Sequence, residues 1–97
     1  MRRHYVYALV DLDTGLAMYI GMAARPKTRY LQHLKEHGAS RKCTWVQVKI
    51  KEGKTPRLLI LSQHSTEYSA RQFEQLLIAT YIDDGINLVN TRHCHPL

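Results

Sequence analysis

Cysteine is scarce in this chain. The 97 residues hold two, Cys43 and Cys94, too few for a disulfide framework, and no Cys-x-x-Cys pair marks a zinc site. No apolar run approaches the ~18 residues that a membrane-spanning helix needs. The start, Met-Arg-Arg-His-Tyr, runs into Asp11 and Asp13 without the apolar centre of a secretory signal. Internal repeats, low-complexity stretches and linkers are missing too, so residues 1–97 read as a single domain. Together these absences set aside secreted scaffolds, membrane spans and multidomain arrays, and leave a cytoplasmic domain as the expectation. With 44% apolar and 23% charged residues the composition is that of a folded chain, not a disordered one.

Acidic charge is also in short supply, and unevenly so. Eight Asp and Glu face fourteen Lys and Arg, for a net charge of +6. Residues 1–24 sum to zero and residues 58–97 to −2, whereas residues 25–57 carry ten basic side chains against Glu36 and Glu52, a net +8. A basic block in a neutral-to-acidic frame suits a polyanion, since each neutralised phosphate releases counterions and adds affinity. It equally describes a solvated lysine-rich surface.

Along the chain, YVYALVDL at 5–12 and LAMYIGM at 16–22 flank Asp13-Thr14-Gly15 and predict a β-hairpin. The period then changes. Pro26 suits a first helical turn, Tyr30, Leu31 and Leu34 supply an apolar side, and Gly38 offers a C-terminal stop, so a short helix is expected over 25–37. WVQVKIK at 45–51 alternates as a strand would, yet Val46 and Ile50 also stack at i, i+4 in a helix. After the loop Glu52-Gly53-Lys54-Thr55-Pro56 comes a short strand, RLLILS at 57–62. The clearest helix runs from Ser65 or Ser69 to Ile82, with Ser69 and Gln72 spaced as a capping box and a stripe of Ala70, Phe73, Leu77 and Tyr81 flanked by Leu76 and Ile78. Asp83-Asp84-Gly85 ends it, and INLVN at 86–90 continues as an extended tail.

Three features bear on chemistry. Glu74 falls on the apolar side of the long helix, close to the direction of Tyr81, where a carboxylate is costly unless a metal ion, arginine or lysine compensates it, or unless it lies at the stripe's edge and pairs with Arg71. Arg29 and His33 are spaced i, i+4 and share a helix face, as a guanidinium and an imidazole directed at one phosphate would. Tyr5 and Tyr7 share one face of the first strand and Tyr19 lies on the next, a pattern that packing alone also produces. Trp45, Tyr30 and Phe73 read as core or wall residues in preference to base-stacking platforms.

In order, YVY at 5–7, YIG at 19–21, Arg29 with His33, Glu74 and Asn90 resemble the GIY-YIG endonuclease superfamily. The stretches WVQVKIKEGKTP and FEQLLIATYIDDGINLVN are similar to the layout of its small stand-alone and phage-type members, and the likeness spans Tyr5 to Asn90. Tyr5 and Val6 stand where the family has Gly and Ile, Arg25 stands in a loop that commonly holds Asn or Ser, and no Gly-Gly follows the last asparagine. The resemblance implies an α+β fold, a small central three-stranded antiparallel sheet flanked by helices, and a divalent-metal-dependent DNA endonuclease. It carries Tyr7 over as general base, its phenol acidified by metal and arginine, and Tyr19 as its orienting partner. Arg29 becomes the phosphate-stabilising group, His33 shares the proton relay, and Gly21 allows close backbone approach. Glu74 becomes the ligand of Mg²⁺ or Mn²⁺, and Asn90, better spaced from Glu74 than Asn87, the late asparagine. It implies that the basic segment 25–57, with Arg25, Lys27, Lys35, Arg41 and Lys42, follows the DNA backbone. Specificity is left open between a partner protein, a homodimer, DNA structure such as branches or flaps, and hardly any selectivity at all. Two alternatives stand beside it: a non-catalytic nucleic-acid-binding module on the same fold, and a small metal-binding protein using His93-Cys94-His95 with Cys43 or His64.

Overall fold

A computed structural model describes residues 3–90. Its elements run β1 (His4–Val10), β2 (Ala17–Ala23), α1 (Pro26–Lys35), α2 (Arg41–Lys51), β3 (Arg57–His64) and α3 (Glu67–Asp83). The strands form one antiparallel sheet in the order β2-β1-β3, with helices on both faces, so the α+β expectation holds. The His93-Cys94-His95 cluster lies outside the described residues.

The period of two in β1 sorts the core into two layers. Val6 and Ala8 point to one face and join Ile20, Ala70 and Leu88, with Phe73, Leu77, Ile78 and Tyr81 of α3 packed against them. Tyr7 and Leu9 point to the other and join Val46 of α2, bordered by Tyr19, Tyr30, Leu34 and Trp45. Tyr30, Trp45 and Phe73 are therefore core and wall residues, as their spacing suggested. In the β1–β2 ladder Tyr7 stands opposite Gly21 and Leu9 opposite Tyr19. The hairpin turn closes through Gly15 at φ +74°, a backbone conformation that glycine adopts without steric cost.

Segment 45–51, which alternation made ambiguous, lies within a helix, α2. Ser40 caps it by accepting a hydrogen bond from the Cys43 backbone N–H at 3.1 Å. Cys43 and Val46 are buried, whereas Val48, which a strand would place beside Val46, is exposed. Helical spacing wins because it buries one side of the segment. α2 also closes the end of α1: the Gln47 side-chain amide donates to the carbonyls of Leu34 (3.2 Å) and Glu36 (2.9 Å). Gly38 is consequently not the stop that the sequence suggested, since the helix ends at Glu36 in extended backbone with its last carbonyls satisfied from the neighbouring helix. Leu31, expected on the apolar side of α1, is exposed, and the side chain that turns inward is His33.

α3 begins one turn earlier than the Ser69–Gln72 box suggested. Its cap is Thr66, whose hydroxyl accepts from the Ser69 N–H at 3.1 Å, and Leu76 of the expected stripe is exposed. Beyond α3 the chain returns along the outer edge of β2. Val89 N–H donates to the Met18 carbonyl at 2.7 Å, and the buried Asn90 side chain grips Ile20 from both sides, accepting from its N–H at 3.0 Å and donating to its carbonyl at 2.8 Å. The exposed ladder of an edge strand is thereby covered.

Candidate active site

Four of the sequence-derived residues meet around one phenolic oxygen. The ring of Tyr7 lies over Gly21, where a Cβ atom would fall 2.6 Å from the tyrosine hydroxyl and 2.7 Å from the carbon bearing it. Tyr7 Oη is 2.8 Å from His33 Nε2, in a contact closed to solvent on both sides. Tyr19 completes the wall: its ring centroid is 6.3 Å from that of Tyr7 and 5.2 Å from that of His33, against which it stands edge-on. Arg29, one turn before His33 on α1, bears on the same phenol through its positive charge and donates to Gln32 at 3.2 Å. Gly21 thus makes room for a side chain, the Tyr7 ring, where the resemblance implied close backbone approach.

Burial dominates the electrostatics of this cluster. Burial pushes the Tyr7 phenol well above its ordinary value, the neighbouring Tyr19 and the charge of Glu74 add to the rise, and Arg29 opposes it through its charge. Among the protein's own groups, desolvation of the anion outweighs one guanidinium and the phenol is firmly protonated, so the acidification that the resemblance implied needs the metal as well as the arginine. The His33 imidazole moves the other way, from 6.5 down to about 4, first through burial, then through the positive charges of Lys42 and Arg29, with Glu36 opposing. It is a neutral ring at physiological pH.

Glu74 extends from α3, half-buried, and its charge registers at the Tyr7 phenol although the two arise from opposite layers. Arg71, its alternative partner in sequence, bonds Glu67 at 2.7 Å. Asn90 stays out of the tyrosine cluster. It holds the backbone of Ile20, the residue between Tyr19 and Gly21, and so fixes the strand from which one wall of the site is built. Asn87 accepts a hydrogen bond from Arg41 at 3.0 Å in an exposed position.

Lys42, expected among the cations along the DNA backbone, instead belongs to the site: its side chain is only 12% exposed and turns inward. There Nζ donates to His33 Nδ1 at 2.9 Å, pairs with the Glu36 carboxylate and sits 5.9 Å from the Tyr19 ring centroid. The one sequence signal was its position beside the Ser40 cap at the start of α2. Other cations of the basic block are also engaged. Lys49 pairs with Asp13 (2.8 Å) and Asp11 (3.4 Å) of the hairpin turn, and Lys54 with Asp13 (2.8 Å). Arg25, Lys27 and Lys35 are exposed on and beside α1 and make no ion pair among the described residues.

No group of three or more His, Cys, Asp or Glu side chains among the described residues is arranged to enclose a metal. A single half-buried carboxylate within electrostatic reach of the Tyr7 phenol suits a hard, largely hydrated divalent cation, which takes one or two carboxylates and keeps its waters. No helix among the described residues is long and apolar enough to cross a membrane.

The family model of the GIY-YIG catalytic domain matches residues 3–87, which takes in Tyr7, Tyr19, Arg29, His33 and Glu74 and stops short of Asn90. No curated protein matches the chain, and no solved structure does.

Proposed function

The chain belongs to the GIY-YIG catalytic-domain family, a nuclease-type family, and from that premise we propose that it is a divalent-metal-dependent DNA endonuclease hydrolysing phosphodiester bonds. The observation that carries this reading is the hydrogen bond between His33 and Tyr7 Oη, with Tyr19 against the ring and Arg29 and Glu74 within electrostatic reach. Hydrolysis of a phosphodiester needs an activated water, compensation of charge on the phosphoryl oxygens and help for the leaving oxygen.

Each demand finds a group. Arg29, exposed at the mouth of the site, offers a bidentate fork to the non-bridging oxygens as their charge grows. Tyr7 Oη is the general base toward the attacking water. Tyr19 orients that phenol and the phosphate. Glu74 would hold Mg²⁺ or Mn²⁺, which when bound would supply positive charge at the leaving oxygen and offset Glu74's upward influence on the Tyr7 phenol. Asn90 serves as a positioning residue through Ile20. DNA lies along Arg25, Lys27, Lys35 and Arg41, with Lys42 withdrawn from that set. Specificity comes from a partner protein or a second copy of the chain. The buried free thiol of Cys43 suits a reducing, cytoplasmic setting.

The test is incubation of supercoiled plasmid and branched DNA with Mg²⁺ or Mn²⁺, beside Glu74→Ala and an EDTA control. Metal-dependent nicking or linearisation by the wild type, lost in Glu74→Ala while DNA binding persists, is the expected result. Undiminished cleavage by Glu74→Ala overturns the metal-ligand assignment. Salt-sensitive binding with no cleavage of either substrate would replace the enzyme by a binding module on the same fold.

A further inference from the structure

The contact between Lys42 and His33 has directional content. A lysine ammonium carries three donors and no acceptor. Facing it at 2.9 Å, His33 Nδ1 must present its lone pair. A neutral imidazole with an unprotonated Nδ1 carries its hydrogen on Nε2, and that nitrogen lies 2.8 Å from Tyr7 Oη. The hydrogen bond therefore runs from His33 to Tyr7. The opposite arrangement, with the hydrogen on Nδ1, would point it at the ammonium; Glu36, the acceptor that would favour it, is farther from Nδ1 at 3.5 Å and is itself paired with Lys42.

We propose that Lys42 is a positioning residue that locks His33 in the Nε2–H tautomer, so that the Tyr7 oxygen is an acceptor from the imidazole and its own hydroxyl hydrogen points away from the ring. The grip is built from three sides: the Glu36 carboxylate anchors the ammonium, the face of Tyr19 lies within cation–π range, and His33 is closed to solvent. Two consequences follow. His33 is not a relay for the phenolic proton, because Nε2 already holds a hydrogen and Nδ1 is occupied. The Tyr7 oxygen instead receives a hydrogen bond from His33 and feels the positive charge of Arg29, both of which favour its anion over its neutral form. The tautomer itself concerns the fold alone; both consequences for the reaction rest on the endonuclease reading.

Histidine ¹⁵N NMR of the full chain reads the tautomer directly, with the His33 signals assigned by their loss in His33→Gln. The expected wild-type ring has Nε2 protonated and Nδ1 bare. Lys42→Met, which keeps the stem and removes the donor, moves the ring toward Nδ1–H, and Lys42→Arg restores it. In the plasmid assay Lys42→Met lowers the cleavage rate by at least about tenfold, as loss of the correct tautomer does in other catalytic sites, and leaves the salt dependence of DNA binding unchanged. A wild-type ring protonated on Nδ1 overturns the lock, and this result stands even where Lys42→Met fails to fold. A changed tautomer with undiminished cleavage overturns the positioning role. A salt slope reduced by about one in Lys42→Met would make Lys42 a phosphate ligand instead. A wild-type protein inert on all DNA, with the tautomer responding to Lys42→Met as stated, supports the lock and removes the nuclease reading on its own.

Discussion

Tyr7 and Gly21 face each other across the β1–β2 ladder, and the tyrosine ring occupies the space that any side chain at position 21 would need. A Cβ there would stand 2.6 Å from Oη, well inside contact distance, and the ring cannot swing away freely because His33 holds its hydroxyl at 2.8 Å and its exposure is 1%. Gly21→Ala therefore displaces the phenol from its partners. The expected outcome is a drop in cleavage on the order of 100-fold and a loss of about 1–3 kcal/mol of stability, measured by plasmid nicking and thermal denaturation. Gly38→Ala is the control, since its Cβ would meet Cys43 Sγ at an ordinary 3.7 Å. An active Gly21→Ala protein would show that the position of the Tyr7 oxygen does not limit the reaction.

The elements that sequence made legible are those whose period is visible without a partner. Alternation in YVYALV and the turn residues Asp13 and Gly15 define the hairpin, and the stripe Ala70, Phe73, Leu77 and Tyr81 defines α3. Arg29 and His33 at i, i+4 point to one target because the helix that carries them is regular. What sequence left open depends on neighbours. The segment 45–51 satisfies both periods, and only burial of Cys43 and Val46 under the sheet decides for the helix. Lys42, Lys49 and Lys54 count as three positive charges in any tally, yet each is met by a carboxylate distant in sequence or across a loop. The work of Asn90 was legible as a position and not as a contact, since its partner Ile20 lies 70 residues away.

Asn90 and Asn87 separate cleanly by what they bond. Asn90→Ala leaves the Ile20 N–H and carbonyl without partners at a buried strand edge and costs about 2–3 kcal/mol, near 1 kcal/mol for each lost bond plus desolvation. Asn87→Ala removes one exposed bond to Arg41 and stays within about 0.5 kcal/mol. Urea unfolding of both variants checks the pair. Equal and small effects would show that the β2 edge does not depend on the Asn90 clamp.

Acid weakens this fold in a defined window. The His33 pKa falls from 6.5 unfolded to about 4 folded, chiefly because the ring is buried. Between those values the unfolded chain binds a proton that the folded one refuses, so the stability held above pH 6.5 is lost progressively as pH falls toward 4. At about 1.36 kcal/mol for each pH unit the loss is about 3 kcal/mol. Glu36 adds to it lower down: its bond to Lys42 holds its carboxyl below the ordinary value of 4.5, and that support disappears as the pH falls through its folded pKa. Stability measured against pH is expected to slope through this window in the wild type and to flatten between pH 6.5 and 4 in His33→Gln. An unchanged slope in His33→Gln would assign the acid sensitivity elsewhere.

The division of the basic block into engaged and outward-facing cations yields a last prediction. A phosphate contact contributes to the salt dependence of binding, about 0.9 in the log–log slope for each phosphate neutralised on duplex DNA. Lys27 and Lys35 are exposed on α1, the helix that carries Arg29 and His33, and make no ion pair among the described residues. Lys49 and Lys54 are tied to Asp11 and Asp13 at the hairpin turn, where their charge is already compensated and their removal frees an equal negative charge. Lys27→Gln with Lys35→Gln should lower the slope by about two and weaken binding on every sequence alike. Lys49→Gln with Lys54→Gln should leave the slope where it is. The measurement is fluorescence anisotropy of a labelled duplex across a salt series with Ca²⁺ in place of Mg²⁺. Equal losses from the two pairs would mean that DNA reads the summed charge of residues 25–57, and the specific path along α1 would be wrong.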